Sequence, residues 1–234
     1  MPNDLAAVLF DMDGTLVQTE EYWGEAMFEL AASLGGRMSP EARAATVGTT
    51  MRRSMEVLHA DLGVERTEEQ LQADARWVED RAGELMSAGV VWQPGARELL
   101  ESVRAAGVLT ALVTTTPRRL ADIVLDSISR DLGGDPFHLT VCGDEVPARK
   151  PDPAPYLQAA AALGVAPSAC VVVEDSLVGV TSGLAAGMAV LGVPGLQPVP
   201  AAPGLTLTGT LAGTDVGALV DVLAGGPAME PAGR

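Results

Sequence analysis

Two aspartates stand two residues apart in "VLFDMDGTL" (8–16), directly after an apolar run: Asp11 and Asp13. Thr114, followed by Thr115, closes a second apolar run in "ALVTTTP" (111–117). Glu174 and Asp175 close a third in "VVVEDS" (171–176). Between them, "GDEVPARKPDPAPYL" (143–157) carries Lys150, the only lysine among 15 basic residues; the rest are arginine. Brought to one place, Asp11, Asp13, Glu174 and Asp175 would repel one another. A hard divalent cation with oxygen ligands relieves that repulsion, and Mg²⁺ suits one or two carboxylates plus a phosphate. An ammonium there adds a compact charge on a flexible stem for phosphate oxygens, whereas a guanidinium imposes a planar fork. The residue types therefore point to metal-assisted handling of a phosphoryl group.

Each segment also has an ordinary reading. "DMDGT" could be a turn after a strand, because Asp and Gly are turn formers. "PDPAPY" could be a proline-rich helix entry, and Ser176 an N-cap. Thr114–Thr116 could be strand-end hydroxyls. Four such segments, each at the end of an apolar run or in the loop that follows one, favour the chemical reading.

Elements must carry these residues to one crevice. Short apolar runs at 6–10, 108–114, 138–142, 169–174 and 188–193 read as strands, the last being the final clear one. Helical patterns fall between them at 96–106, after Pro117, at 153–163 and at 176–186. This alternation predicts an α/β fold, a doubly wound, Rossmann-like parallel sheet with helices on both faces. In open sheets of this kind ligands bind beyond the C-terminal strand ends. The stretch from 20 to 90 reads as helix alone. Its helices are expected at 20–34 (Trp23, Met27, Leu30 and Leu34 on one face), 40–61 and 68–88, the last with a Thr67/Gln70 capping box. The expected organisation is an α/β catalytic core of 1–18 and 92–225, an inserted α-helical cap of 19–91, and a disordered tail at 226–234.

Composition narrows the function. With 47% hydrophobic residues a sizeable core can be buried, and with 3% aromatics it is built from Ala, Val and Leu. The formal net charge of −16 argues against nucleic acid. An anionic substrate would need a local cation to overcome that field. No apolar run reaches a membrane span, and the N-terminus lacks a secretory pattern. A cytoplasmic protein without membrane or nucleic-acid partners, a monomer or weak dimer, is expected. Cys142 and Cys170 could pair, but their apolar settings favour two buried free thiols on strands. No cysteine–histidine cluster suggests zinc. His59 and His138 are the only histidines, and neither lies near a nucleophile elbow.

The four segments "VLFDMDGTL", "ALVTTTP", "GDEVPARKPDPAPYL" and "VVVEDSLVGVTSGLAAGM" resemble, in order and separation, the motifs of the haloacid dehalogenase superfamily. The phosphatase/phosphomutase branch, with a helical cap after the first motif, is the nearest match, over 5–195. The resemblance implies that Asp11 is the nucleophile forming an aspartyl-phosphate and that Asp13 is the general acid and base. It implies Mg²⁺ held by Asp11, the Asp13 carbonyl and Asp175, with Glu174 close by. It also implies phosphoryl binding by Thr114, with Thr115 beside it, and charge neutralisation by Lys150. The substrate implied is a small phosphorylated metabolite, with a sugar phosphate favoured and phosphomonoester hydrolysis as the reaction. A β-phosphoglucomutase-like isomerase and a non-catalytic phospho-ligand binder are the alternatives. In the cap, Arg52 and Arg53 could meet a second anionic group or sugar hydroxyls, or form a solvated helix face. Met51 stands where related mutases tend to place an arginine. Trp23 stands where hexose-phosphate mutases have a histidine and several sugar-phosphate phosphatases a tryptophan. Gln18 replaces a frequent Asp. The departure at Trp23 points to hydrolysis.

Overall fold

A computed structural model describes residues 5–47, 49–193, 195 and 198–225. The tail expected to be disordered, 226–234, lies outside the described residues. In chain order the elements are β1 (Ala7–Phe10), α1 (Glu20–Ser33), α2 (Pro40–Thr46), α3 (Met51–Leu62), α4 (Glu68–Ser87), α5 (Ala96–Ala105) and β2 (Leu109–Val113). Then follow α6 (Arg118–Leu132), β3 (Leu139–Val141), α7 (Ala154–Leu163), β4 (Cys170–Glu174), α8 (Leu177–Ala185), β5 (Ala189–Gly192), β6 (Leu205–Leu207) and α9 (Val216–Leu223). The chain divides into two compact units. One combines the segment ending at Gln18 with the segment beginning at Val91; the other is Thr19–Val90.

The first unit holds a parallel sheet ordered β3-β2-β1-β4-β5-β6. The chain winds outward from β1 one way, then restarts at β4 and winds the other way. The order therefore reverses between β1 and β4, which creates the crevice where such sheets bind ligands. The strands are nearly continuous apolar runs because both sheet faces are covered. Ala7, Leu9, Ala111, Val113, Cys170 and Val172 belong to one buried layer with Tyr156, Ala159 and Ala160 of α7 and Val180 of α8. The alternate residues Val8, Phe10, Leu112, Val171 and Val173 are also fully buried and face the other side. There α5 packs on β2, and α9 on β4 and β5. Phe10 meets Phe137 edge-on at 6.4 Å between ring centroids.

The predicted sheet is present, with one addition. β6 lies beyond the strand expected to be last; it has only three residues, too short for a periodic signal. Cys142 and Cys170 are free and buried as expected. Cys170 opens β4, whereas Cys142 falls one residue past β3. Among the described residues, no helix is long and apolar enough to cross a membrane.

The second unit contains α1 to α4 and no strand among its described residues. α1 packs on α4, α2 on α3, and α3 on α4. Arg81 of α4 forks onto Glu29 of α1 at 2.8 and 3.0 Å. The helix expected over 40–61 is two helices. Val47 turns extended after α2, and the Thr50 hydroxyl then caps α3 by accepting from the Arg53 N–H at 3.3 Å. The extended Val47 ends the first helix and the Thr50 cap starts the second. The Thr67/Gln70 capping box of α4 is present in both directions.

Candidate active site

Strand register brings the acids together. Phe10 is opposite Leu112 on one side and Val173 on the other, so the next residue, Asp11, emerges level with Val113 and Glu174. The Asp11 N–H still donates to the Val173 carbonyl at 3.0 Å, which fixes its exit. The chain then folds tightly: Gly14 donates to the Val17 carbonyl and Leu16 to the Met12 carbonyl. Gly14 has φ +82°, a left-handed conformation, and any Cβ there would overlap the Asp175 carboxylate. The Thr15 hydroxyl donates to Asp175 Oδ1 at 3.2 Å. This turn therefore locks the first acidic segment against the last.

Lys150 arrives from the loop after β3. Arg118, at the start of α6, stitches that loop: it donates to both Glu145 oxygens at 2.8 and 2.7 Å and to the Thr140 hydroxyl and carbonyl. The Lys150 side chain is 2% exposed. Its ammonium donates to Asp11 Oδ1 at 2.6 Å, to Glu174 Oε1 at 2.6 Å and to the Val113 carbonyl at 2.8 Å. All three N–H donors of an ammonium are thus used by one nitrogen at one point.

Glu174 is fully buried, and four protein donors occupy it. Oε1 accepts from Lys150 and from the Tyr156 hydroxyl at 2.8 Å. Oε2 accepts from the Ser176 hydroxyl at 3.0 Å and its N–H at 3.3 Å. Ser176 also caps α8, accepting from the Gly179 N–H at 3.1 Å. Gly179 is required here, because a Cβ would collide with the Glu174 carboxylate. Asp13 sits to one side. One of its oxygens accepts from Thr116 at 2.7 Å and from Thr114 at 3.3 Å.

The electrostatics follow from burial and crowding. Burial first, then repulsion from Glu174, pushes Asp11 well above the ordinary carboxyl range; Lys150 pulls the other way. Burial and Glu174 likewise push Asp175 up to about 7, against the Thr15 hydrogen bond and Lys150. For Lys150, burial favours the neutral amine, but the Asp11 and Glu174 carboxylates outweigh it and hold the ammonium charged. Oxygens of Asp11, Glu174 and Asp175 lie within 4.8 Å of one another, a spacing at which three carboxylates could hold a metal ion. By proximity Glu174 belongs to that group. Its hydrogen bonds point to a different part, as the charge partner of Lys150, and leave Asp11 and Asp175 as the carboxylates with oxygen to offer.

The structure therefore brings together Asp11, Asp13, Thr114, Lys150, Glu174 and Asp175, all singled out from sequence. The Thr114 hydroxyl donates to Asp13 and accepts from the Thr116 N–H. Thr115 is exposed. Arg52 belongs to the helical unit, where its fork closes on Glu68 at 2.6 and 3.0 Å; Arg53 is paired with Glu56. Sequence reading missed Thr116, Ser176 as a carboxylate anchor, and Tyr156. The repeat spacing Thr114–Thr116 could have indicated the first, because residues two apart in extended chain share a side.

The family model of haloacid dehalogenase-like hydrolases matches residues 5–187. The chain is 34% identical over 195 residues to the protein CbbY of Rhodobacter capsulatus, covering 82% of this chain and 86% of that protein. It is 33% identical over 184 residues to a phosphorylated carbohydrates phosphatase of Thermotoga maritima, covering 79% and 82%. The fold matches a crystal structure of CbbY from Rhodobacter sphaeroides in complex with xylulose-(1,5)bisphosphate, with TM-score 0.77 and 26% identity over 92% of this chain and 99% of that one.

Proposed function

Because the chain belongs to the haloacid dehalogenase-like hydrolases, we propose that it is a magnesium-dependent phosphomonoesterase that hydrolyses a sugar phosphate through an aspartyl-phosphate on Asp11. The observation that carries this reading is the contact of the lone ammonium of Lys150 with the Asp11 carboxylate, 2.6 Å away at the sheet's switch point. A structural ion pair alone would not need a second carboxylate on the same nitrogen and an acidic pair two residues apart beside it.

The chemistry divides among these residues. A carboxylate oxygen of Asp11 attacks phosphorus; the bond to Asp11 forms as the ester P–O bond breaks. Asp13, held by Thr116 and Thr114, gives a proton to the departing alkoxide and later takes one from the water that hydrolyses the aspartyl-phosphate. Lys150 offsets charge on the phosphoryl oxygens, in a transition state that depends on positioning and electrostatics. Asp11 and Asp175, with the Asp13 carbonyl, would hold magnesium, which would supply positive charge to keep the crowded carboxylates ionised and to polarise the phosphoryl oxygens. The donor set fits: oxygen ligands only, with more buried carboxylate than one ammonium can balance. The helical unit, inserted between Gln18 and Val91, would select the leaving group.

The direct test is release of inorganic phosphate from a panel of sugar phosphates with and without Mg²⁺. The ligand of the Rhodobacter sphaeroides relative makes a ketose bisphosphate the first compound to try. Magnesium-dependent phosphate release is expected. Conversion of β-glucose 1-phosphate to glucose 6-phosphate without free phosphate would instead mark a mutase.

Metal binding has a pH signature. Asp175 has a folded-state pKa of about 7, raised above its unfolded value near 3.8. Its protonation therefore stabilises the metal-free fold below the unfolded pKa, and that contribution is lost as pH rises through about 7. Asp175 would hold magnesium in its ionised form, so added metal would offset that loss. The rise in Tm on adding Mg²⁺ is expected to be several-fold larger at about pH 8 than at about pH 5.5. Scanning calorimetry at the two pH values checks it, and an equal rise at both would count against these carboxylates as ligands.

A further inference from the structure

We infer that Tyr156 is a positioning residue for Lys150, acting through Glu174 and through its own ring. Its effect on activity rests on the phosphomonoesterase reading; the geometry stands without it. Tyr156 lies on α7, six residues after Lys150, and is fully buried. Its ring packs in the layer with Ala159, Ala160, Val172 and Val180. A phenylalanine would fill that space equally well. The hydroxyl, however, donates at 2.8 Å to Glu174 Oε1, the same oxygen that accepts from Lys150 at 2.6 Å. The Lys150 ammonium also lies 4.9 Å from the centroid of the Tyr156 ring.

Two physical consequences follow. An anionic oxygen with an ammonium as its only donor draws that ammonium toward itself. The second donor on Oε1 spreads its charge, so Lys150 is shared with Asp11 Oδ1 and the Val113 carbonyl rather than captured by Glu174. The ring adds cation–π attraction on the buried cation. Tyr156 thereby holds the ammonium where the phosphoryl group meets Asp11, without touching substrate. Pro151, Pro153 and Pro155, with their fixed φ, tie the Lys150 loop to the helix start that carries Tyr156.

The test uses the full chain saturated with Mg²⁺, in Tyr156→Phe and Tyr156→Leu. Lys150 is the only lysine, so protein grown on isotope-labelled lysine gives one side-chain signal that needs no assignment. In Tyr156→Phe the proton exchange of that ammonium with water is expected to quicken about 10-fold. kcat falls about 10-fold and the inhibition constant of orthovanadate rises by a similar factor, the scale of one hydrogen bond to a charged group. The magnesium half-saturation stays at its wild-type value, and Tm falls by no more than the loss of that one buried hydrogen bond accounts for. Tyr156→Leu also removes the ring and is expected to exceed Tyr156→Phe in each lysine readout; if it fails to fold, Tyr156→Phe carries the test alone. Wild-type exchange, kcat and vanadate inhibition in Tyr156→Phe would overturn the inference. So would losses that come with a shifted magnesium half-saturation, or with a Tm as low as that of Tyr156→Leu, because they would show core packing only. If the wild type hydrolyses no phosphomonoester while the lysine signal still responds in Tyr156→Phe, the catalytic reading fails and the positioning role stands.

Discussion

Asp11→Asn is expected to abolish turnover, lowering kcat by roughly 10⁴- to 10⁶-fold, the scale on which a hydrolase loses rate when its covalent nucleophile is removed. An amide has the shape of the carboxylate but cannot form the aspartyl-phosphate. The fold is expected to survive the change. The Asn carbonyl oxygen can still accept from Lys150, whose bond to Asp11 is 2.6 Å. The substitution also removes a carboxyl that burial and Glu174 already push upward. In metal-free protein above neutral pH, Tm should therefore be no lower than in the wild type. Phosphate release and thermal unfolding on the same preparation check both parts. An Asp11→Asn enzyme that still turns over would place the nucleophile elsewhere.

Lys150→Arg keeps the charge and is expected to lose at least about 100-fold in kcat. One tetrahedral nitrogen here feeds three acceptors, at 2.6, 2.6 and 2.8 Å, in a side-chain space that is 2% exposed. A guanidinium spreads its donors over three nitrogens in a plane and cannot aim three N–H bonds from one point. This is why a chain with 14 arginines has a lysine at this position. Lys150→Met removes the charge as well and leaves Asp11 and Glu174 facing each other. Breaking a buried ion pair on one side costs about 3–5 kcal/mol. That cost is expected to fall as pH drops, because the stranded carboxylates can then bind protons. Chemical denaturation of the two variants at about pH 5.5 and pH 8, beside their kcat values, measures both effects. Full activity in Lys150→Arg would show that the ammonium geometry is irrelevant.

Other parts of the molecule divide the same way between short-range and long-range causes. The Thr67/Gln70 box was readable because it links residues three apart. The break between α2 and α3 was not, because it rests on Val47 turning extended and on the Thr50 hydroxyl capping a new start, a choice of backbone conformation that residue types alone do not fix. β6 escaped notice because three residues carry no period of their own; pairing with β5 makes it a strand.

By itself the sequence determined the parallel α/β sheet, the helical insert and the ends of β1, β2 and β4 as the places where Asp11, Thr114 and Glu174–Asp175 emerge. Those features are local: an apolar run ends, a polar residue follows, and the chain must leave the sheet. Only the tertiary structure decided which partner each group faces. The parallel register of β1 with β2 and β4 sets Asp11 beside strand ends about 100 and 160 residues away. That register sends the Lys150 ammonium to Asp11 and Glu174 together, turns Thr114 and Thr116 toward Asp13, and places the Tyr156 hydroxyl on the oxygen that Lys150 also holds. A side-chain hydrogen bond is settled within a few tenths of an ångström, a precision that only the packed sheet and its covering helices supply.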